Sequence, residues 1–75
     1  MTELDLRGTP CPLNFIRTKL ALETLVSGQA LRVVLDAGEP AQMVSEGVAA
    51  AGHAVQSSPH GEDSDAVVLL IQRDG

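Results

Sequence analysis

The chain has 75 residues, with ten acids against five bases for a net charge of −5, 44% hydrophobic residues and a single aromatic, Phe15. That length holds one small domain, expected to span residues 1–75, with a core of aliphatic side chains. The composition speaks against several classes. No apolar run approaches the roughly 20 residues of a membrane helix, one cysteine cannot form an internal disulfide, and the acidic balance disfavours direct nucleic-acid binding through phosphates. With no basic segment and apolar signal core at the start, the cytoplasm is the expected location.

Glu3 to Arg7 alternates polar and apolar residues, the pattern of a strand with one buried face. Gly8-Thr9-Pro10-Cys11-Pro12 turns into a helix expected from Pro12 to Val26 and stopped at Ser27-Gly28. Its apolar residues fall into two rows, Phe15, Leu22, Leu25 and Val26, and Leu13, Ile16 and Leu20. A surface that wide predicts contact with both a sheet and a neighbouring helix. Ala30 to Asp36 is the second strand. Ala37 to Pro40 turns into a second helix reaching Ala51, with a thin inner stripe of Val44, Val48 and Ala51 and with Ala41 and Met43 alongside, which predicts shallower packing than the first. His53 to Ser58, ending at Pro59, is polar and short and suits a sheet edge. His60 to Asp65 is a solvated hairpin loop, and the unbroken apolar run Ala66 to Ile71 predicts a central strand.

The order strand, helix, strand, helix, strand, strand, with right-handed crossovers, predicts an α+β fold. It is a two-layer sandwich, β-α-β-α-β-β, with both helices on one face of a mixed four-stranded sheet in the order 1-2-4-3. The other face would be open, polar at Glu3, Asp5 and Arg7 and apolar at Val34 and alternate residues of Val67 to Ile71. That patch raises the expectation of a weak homodimer through the open face.

The cysteine is the centre of the chemistry. Proline is favoured at the first helical position, so Pro12 in that place puts the Cys11 sulfur beside the first helical turn, where a thiolate is stabilised. Cys11 also lies in the one basic window. From Leu6 to Leu22 the chain has Arg7, Arg17 and Lys19 and no acid, whereas the remainder carries all ten acids and two bases, a balance of −8.

These residues resemble the TusA/SirA-like sulfur-carrier family. The resemblance rests on Leu4-Asp5-Leu6-Arg7-Gly8, on Cys11-Pro12 opening the helix, on Val34-Leu35-Asp36 followed by Pro40, and on Gly52-His53. It implies a carrier that accepts sulfur as a persulfide on Cys11, with no cofactor beyond that transient sulfur. A cysteine desulfurase or rhodanese-like protein would donate, and a thiol-bearing protein would accept, in tRNA thiolation, cofactor synthesis or sulfur metabolism. The family motif is Cys-Pro-x-Pro, and Asn14 stands here in place of the second proline. Asn14 restores an N–H at the third helical position and is expected to donate it to the Cys11 thiolate.

Transfer would begin with thiolate attack on the outer sulfur of a donor persulfide. The first turn, Pro12, Leu13 and Asn14, and the cations Arg7, Arg17 and Lys19 would support the thiolate, while Gly8 and Pro10 hold the loop open. A lone cysteine suits hand-over to another protein and does not suit a dithiol oxidoreductase. The competing expectation is a non-catalytic interaction or regulatory domain that keeps the fold without the chemistry. His53 and His60 match no metal-ligand spacing, so no metal site is expected, and Asp36 and Glu39 are read as turn and helix-start residues.

Overall fold

The computed structural model describes residues 2–74. Met1 and Gly75, the ends of the expected domain, lie outside them. The elements are β1 (Thr2–Asp5), α1 (Leu13–Glu23), β2 (Ala30–Asp36), α2 (Glu39–Ala50), β3 (Ala54–Pro59) and β4 (Ala66–Gln72). One sheet has the order β1-β2-β4-β3, with β1 and β2 parallel and β4 antiparallel to both neighbours. The expected topology is thus present, with β3 at the edge and β4 in the centre.

Strand alternation sorts the residues between the two sheet faces. Leu31, Val33 and Leu35 of β2 stand opposite Ile71, Leu69 and Val67 of β4. Together with Leu6 they form one core with Leu22 and Leu25 from α1 and its end, and with Ala41, Val44 and Val48 of α2. The intervening residues Val34, Ala66 and Val68 form a small second cluster on the other face. Both faces of β4 are therefore apolar, which accounts for its unbroken hydrophobic run. The expected open-face patch is correspondingly reduced. Val34 and Val68 are buried, and Leu70 is the strand residue left exposed among the large hydrophobics.

The helices differ more from expectation. α1 begins at Leu13 with Pro12 as its N-cap and ends at Glu23, three residues short of Val26. Thr24 closes it by turning its N–H and hydroxyl onto the Ala21 carbonyl. Arg73 then donates Nη1 hydrogen bonds to the carbonyls of Leu22, Glu23 and Leu25. The helix therefore receives its C-terminal cation from β4's end instead of its own last turn.

The inward face of α1 carries Asn14, Thr18 and Leu22, while Leu13, Ile16 and Leu20 are exposed. α1 meets both β2 and α2, as expected from its wide apolar surface, but its second apolar row is left exposed. Phe15 makes the helix–helix contact instead: a Cβ placed on Gly47 of α2 would lie 2.5 Å from the Phe15 ring. α2 is packed against β2, β3 and β4, and its Val44 and Val48 are fully buried. Contrary to the expectation from its thin stripe, α2 contributes the deeper apolar face. Met43, expected beside that stripe, is exposed.

Candidate functional site: a thiol at the head of the first helix

The loop that presents Cys11 hangs from the C-terminal ends of the two parallel strands. The Leu6 N–H donates to the Val34 carbonyl at 2.8 Å, and the Thr9 N–H turns back to the Leu6 carbonyl at 3.0 Å. Between them Gly8 takes a φ of +78°, a left-handed conformation that glycine adopts without steric cost. In that conformation its N–H reaches Asp36 Oδ2, at the end of β2, at 2.8 Å. Beyond Gly8, the Pro10 carbonyl accepts the Asn14 N–H at 3.1 Å and the Pro12 carbonyl accepts the Ile16 N–H at 3.0 Å. The Cys11–Pro12 peptide bond is cis. Cys11 is a free, exposed thiol, and its Sγ lies 3.8 Å from Met43 Sδ on α2.

Gly8 and Pro10 each supply a backbone hydrogen-bonding group to this loop. The first helical turn is shifted by one residue. With Pro12 as N-cap, Leu13 opens the helix and Cys11 lies one position further out than expected. The shift changes the role of Asn14. Its N–H is engaged by the Pro10 carbonyl and closes a turn around Cys11, so it does not serve the sulfur. Its side chain points inward, fully buried, with Oδ1 accepting the Phe15 N–H at 2.7 Å. Thr18 Oγ1 donates to the Asn14 carbonyl at 2.9 Å, while Asn14 Nδ2 is buried without a hydrogen-bond partner among the described residues.

Arg7 is engaged by two acids. Its guanidinium pairs with Asp5 at 2.7 Å and with Asp63 at 3.2 Å. The Arg7 hydrogen bonds hold the Asp5 carboxyl down to about 2 from an ordinary 3.8. Asp63 is lowered by the Asp65 N–H and then by Arg7. Arg17 and Lys19 remain on α1 and make no ion pair among the described residues. Lys19 borders a cleft between the helices that Phe15, His53, Arg73 and Asp74 also line. The basic window in the sequence is thus divided: one cation braces the sheet and two stay on the helix.

Two residues beside the thiol site were not anticipated. Asp36 looked like a turn residue because its partner, Gly8, is 28 positions away. Met43 looked like a core residue because methionine usually is one. The histidines are loop fasteners. His53 Nδ1 accepts the Asp74 N–H, and His60 Nδ1 accepts the N–H groups of Glu62 and Asp63, which orders a loop expected to be solvated and loose. Among the described residues no group of three or more His, Cys, Asp or Glu could hold a metal ion. No helix among them is long and apolar enough to cross a membrane.

Comparison with known proteins agrees with this arrangement. A protein of Archaeoglobus fulgidus with the provisional name of sulfur carrier protein is 46% identical over 54 residues, which are 72% of this chain and 61% of the relative's length. The crystal structure of a SirA-like protein from Desulfitobacterium hafniense superposes with a TM-score of 0.78 at 26% identity, covering 100% of both chains. The family model described as sulfurtransferase TusA matches residues 2–73. A loop slung from two parallel strands, carrying a solitary thiol into a helix, is thus set in a chain that belongs to the sulfurtransferase TusA family.

Proposed function

We propose that this protein is a cytoplasmic sulfur carrier that receives sulfur as a persulfide on Cys11 and passes it to a thiol-bearing acceptor protein. The observation that carries this reading is the placement of the one cysteine: free, exposed, and presented by a loop braced at Gly8 and Asn14. A thiol held out in this way can be reached by two partners in turn. With no second cysteine in the chain, the bound sulfur is not expelled by an internal disulfide. Membership of the sulfurtransferase family and likeness to a carrier-named relative support the same reading. A reducing compartment, where thiols persist, suits it.

In the transfer, the Cys11 thiolate attacks the outer sulfur of a donor persulfide R–S–SH. The Cys11 S–S bond forms as the donor S–S bond breaks, and the electron pair leaves on the donor thiolate. Cys11 then carries S–SH, and the acceptor thiolate repeats the step on that outer sulfur. Each step is an exchange with no net oxidation. Donor candidates are a cysteine desulfurase or a rhodanese-like protein.

The test is intact-protein mass spectrometry after incubation with a cysteine desulfurase and cysteine, or with a persulfidated rhodanese. One added sulfur should appear on Cys11, be removed by reductant, and be absent in Cys11→Ser. If the wild type gains nothing from either donor, the protein is an interaction domain that keeps the fold without the chemistry.

A further inference from the structure

We propose that Met43 is a specificity-determining residue of the sulfur transfer: its thioether covers the inner sulfur of the Cys11 persulfide, so that an incoming thiolate takes the outer sulfur and does not expel it. This role rests on the carrier reading above and concerns the fate of the sulfur once it is bound.

A persulfide can be attacked at either sulfur. When a thiolate RS⁻ attacks the outer sulfur, R–S–SH forms, and the electron pair of the broken S–S bond leaves on Cys11 as thiolate. The cargo is transferred. When RS⁻ attacks the inner sulfur, the mixed disulfide Cys11–S–S–R forms, and the electron pair leaves on hydrosulfide, HS⁻. The cargo is lost and the carrier is blocked. Both courses are exchanges with no net oxidation, but hydrosulfide is a weaker base than an alkyl thiolate and so the better leaving group. Leaving-group chemistry alone therefore favours the wasteful course. A carrier whose one cysteine is exposed needs a steric reason to avoid it.

Met43 supplies that reason. Its Sδ lies 3.8 Å from Cys11 Sγ and accepts the thiol's hydrogen bond. Two sulfurs at that separation are in contact, with no room for a third between them. An outer sulfur, about 2 Å from Sγ, therefore points away from Met43 and toward solvent. A thiolate attacks sulfur along the extension of the bond it breaks. The approach to Sγ thus comes from the side that Met43 occupies, whereas the approach to the outer sulfur comes from solvent. Packing does not explain this methionine. It is 49% exposed, while Ala41, Val44 and Val48 of the same helix are buried. The seating of α2 on β2, β3 and β4 fixes its backbone, so the cover is held by the second helix and not by the loop that carries the thiol.

The test reads how the bound sulfur is partitioned. Wild type, Met43→Ala and Met43→Leu are loaded with inorganic polysulfide, desalted and mixed with a limiting amount of N-acetylcysteine. Acid quenching and intact-protein mass spectrometry then give the initial ratio of Cys11 mixed disulfide to free Cys11 thiol. Thermal melts confirm the fold of both variants. Met43→Ala removes the cover and should raise that ratio about threefold or more. Met43→Leu keeps the bulk without the thioether and should stay within about twofold of wild type. A general loosening of the fold would not select between the two sulfurs or be rescued by leucine. The role of Met43 is excluded if Met43→Ala partitions as wild type does, or if Met43→Leu behaves as Met43→Ala; in both cases a loaded wild type leaves the carrier reading standing. A wild type that takes up no sulfur on Cys11 from polysulfide, a desulfurase or a rhodanese persulfide removes the carrier reading, and this role with it.

Discussion

Asp36 fastens the Cys11 loop from outside the loop. Gly8 turns its N–H away from the local backbone, and the Asp36 carboxylate is its acceptor at 2.8 Å. A hydrogen bond of this charge-assisted kind contributes on the order of 1–3 kcal/mol, and its surface position favours the lower end. Asp36→Ala should therefore lower stability by about 1 kcal/mol and speed amide exchange at Gly8 selectively, as NMR exchange would show. Uniform acceleration across the domain would mean that Asp36 acts on the whole fold and not on the loop. At this scale the sequence was legible where the cause is local. A cysteine between prolines at a strand-to-helix junction implies an exposed thiol, and the thiol is exposed. It was not legible where the partner is distant, as for Asp36, or where one residue of phase matters. Pro12 is the N-cap and not the first helical residue, and that single step turns the Asn14 N–H from the sulfur to the Pro10 carbonyl.

The two helices are fitted to one another by a missing side chain. Gly47 occupies a helix interior, where glycine costs about 1 kcal/mol relative to alanine. It is explained by the Phe15 ring, whose Cε1 lies 2.5 Å from where a Cβ would be. Gly47→Ala gains helix propensity but forces the ring or the helices apart, an overpacking cost of about 1–3 kcal/mol. A net loss of about 1 kcal/mol is expected in urea unfolding, recovered in part by Gly47→Ala/Phe15→Leu. A stabilised Gly47→Ala would show that the ring moves freely. At the other end of α1, Arg73→Met removes the donor to the carbonyls of Leu22, Glu23 and Leu25 and should cost about 2 kcal/mol. Its amide-exchange signature should be confined to residues 22–29 and the end of β4. Periodicity located α1 but could not choose which of its two apolar rows faces the sheet, because both satisfy the helical repeat. The choice was made by the seat for Phe15 on Gly47 and by Asn14 and Thr18 bonding within the helix.

At the scale of the whole molecule, the topology was legible because each strand declares its environment. Single-faced alternation marks β1, and an apolar run on both faces marks the central β4. What alternation could not reveal is how the helix-free face is finished. Arg7, two residues past β1, bonds both to Asp5, the last residue of that strand, and to Asp63 in the loop between β3 and β4. In the sheet order, the ends of β2 and β4 with Val34, Ala66 and Val68 lie between these two anchors. The sign of the resulting pH dependence follows from the carboxyls. Asp5 is lowered to about 2 in the folded chain, through its hydrogen bonds with Arg7, and Asp63 is lowered in part by the same guanidinium. A depressed acid adds stability that is fully present above its unfolded value of 3.8, and that stability is lost as pH falls through the folded value. The difference in urea midpoint between wild type and Arg7→Met should therefore be constant from neutral pH down to about 5, and shrink steadily toward about pH 2. Because the pairs are exposed, about 1 M salt should reduce it at neutral pH. A difference that survives both acid and salt would mean that Arg7 closes this face through its aliphatic stem, packed over the valines, and not through its charge.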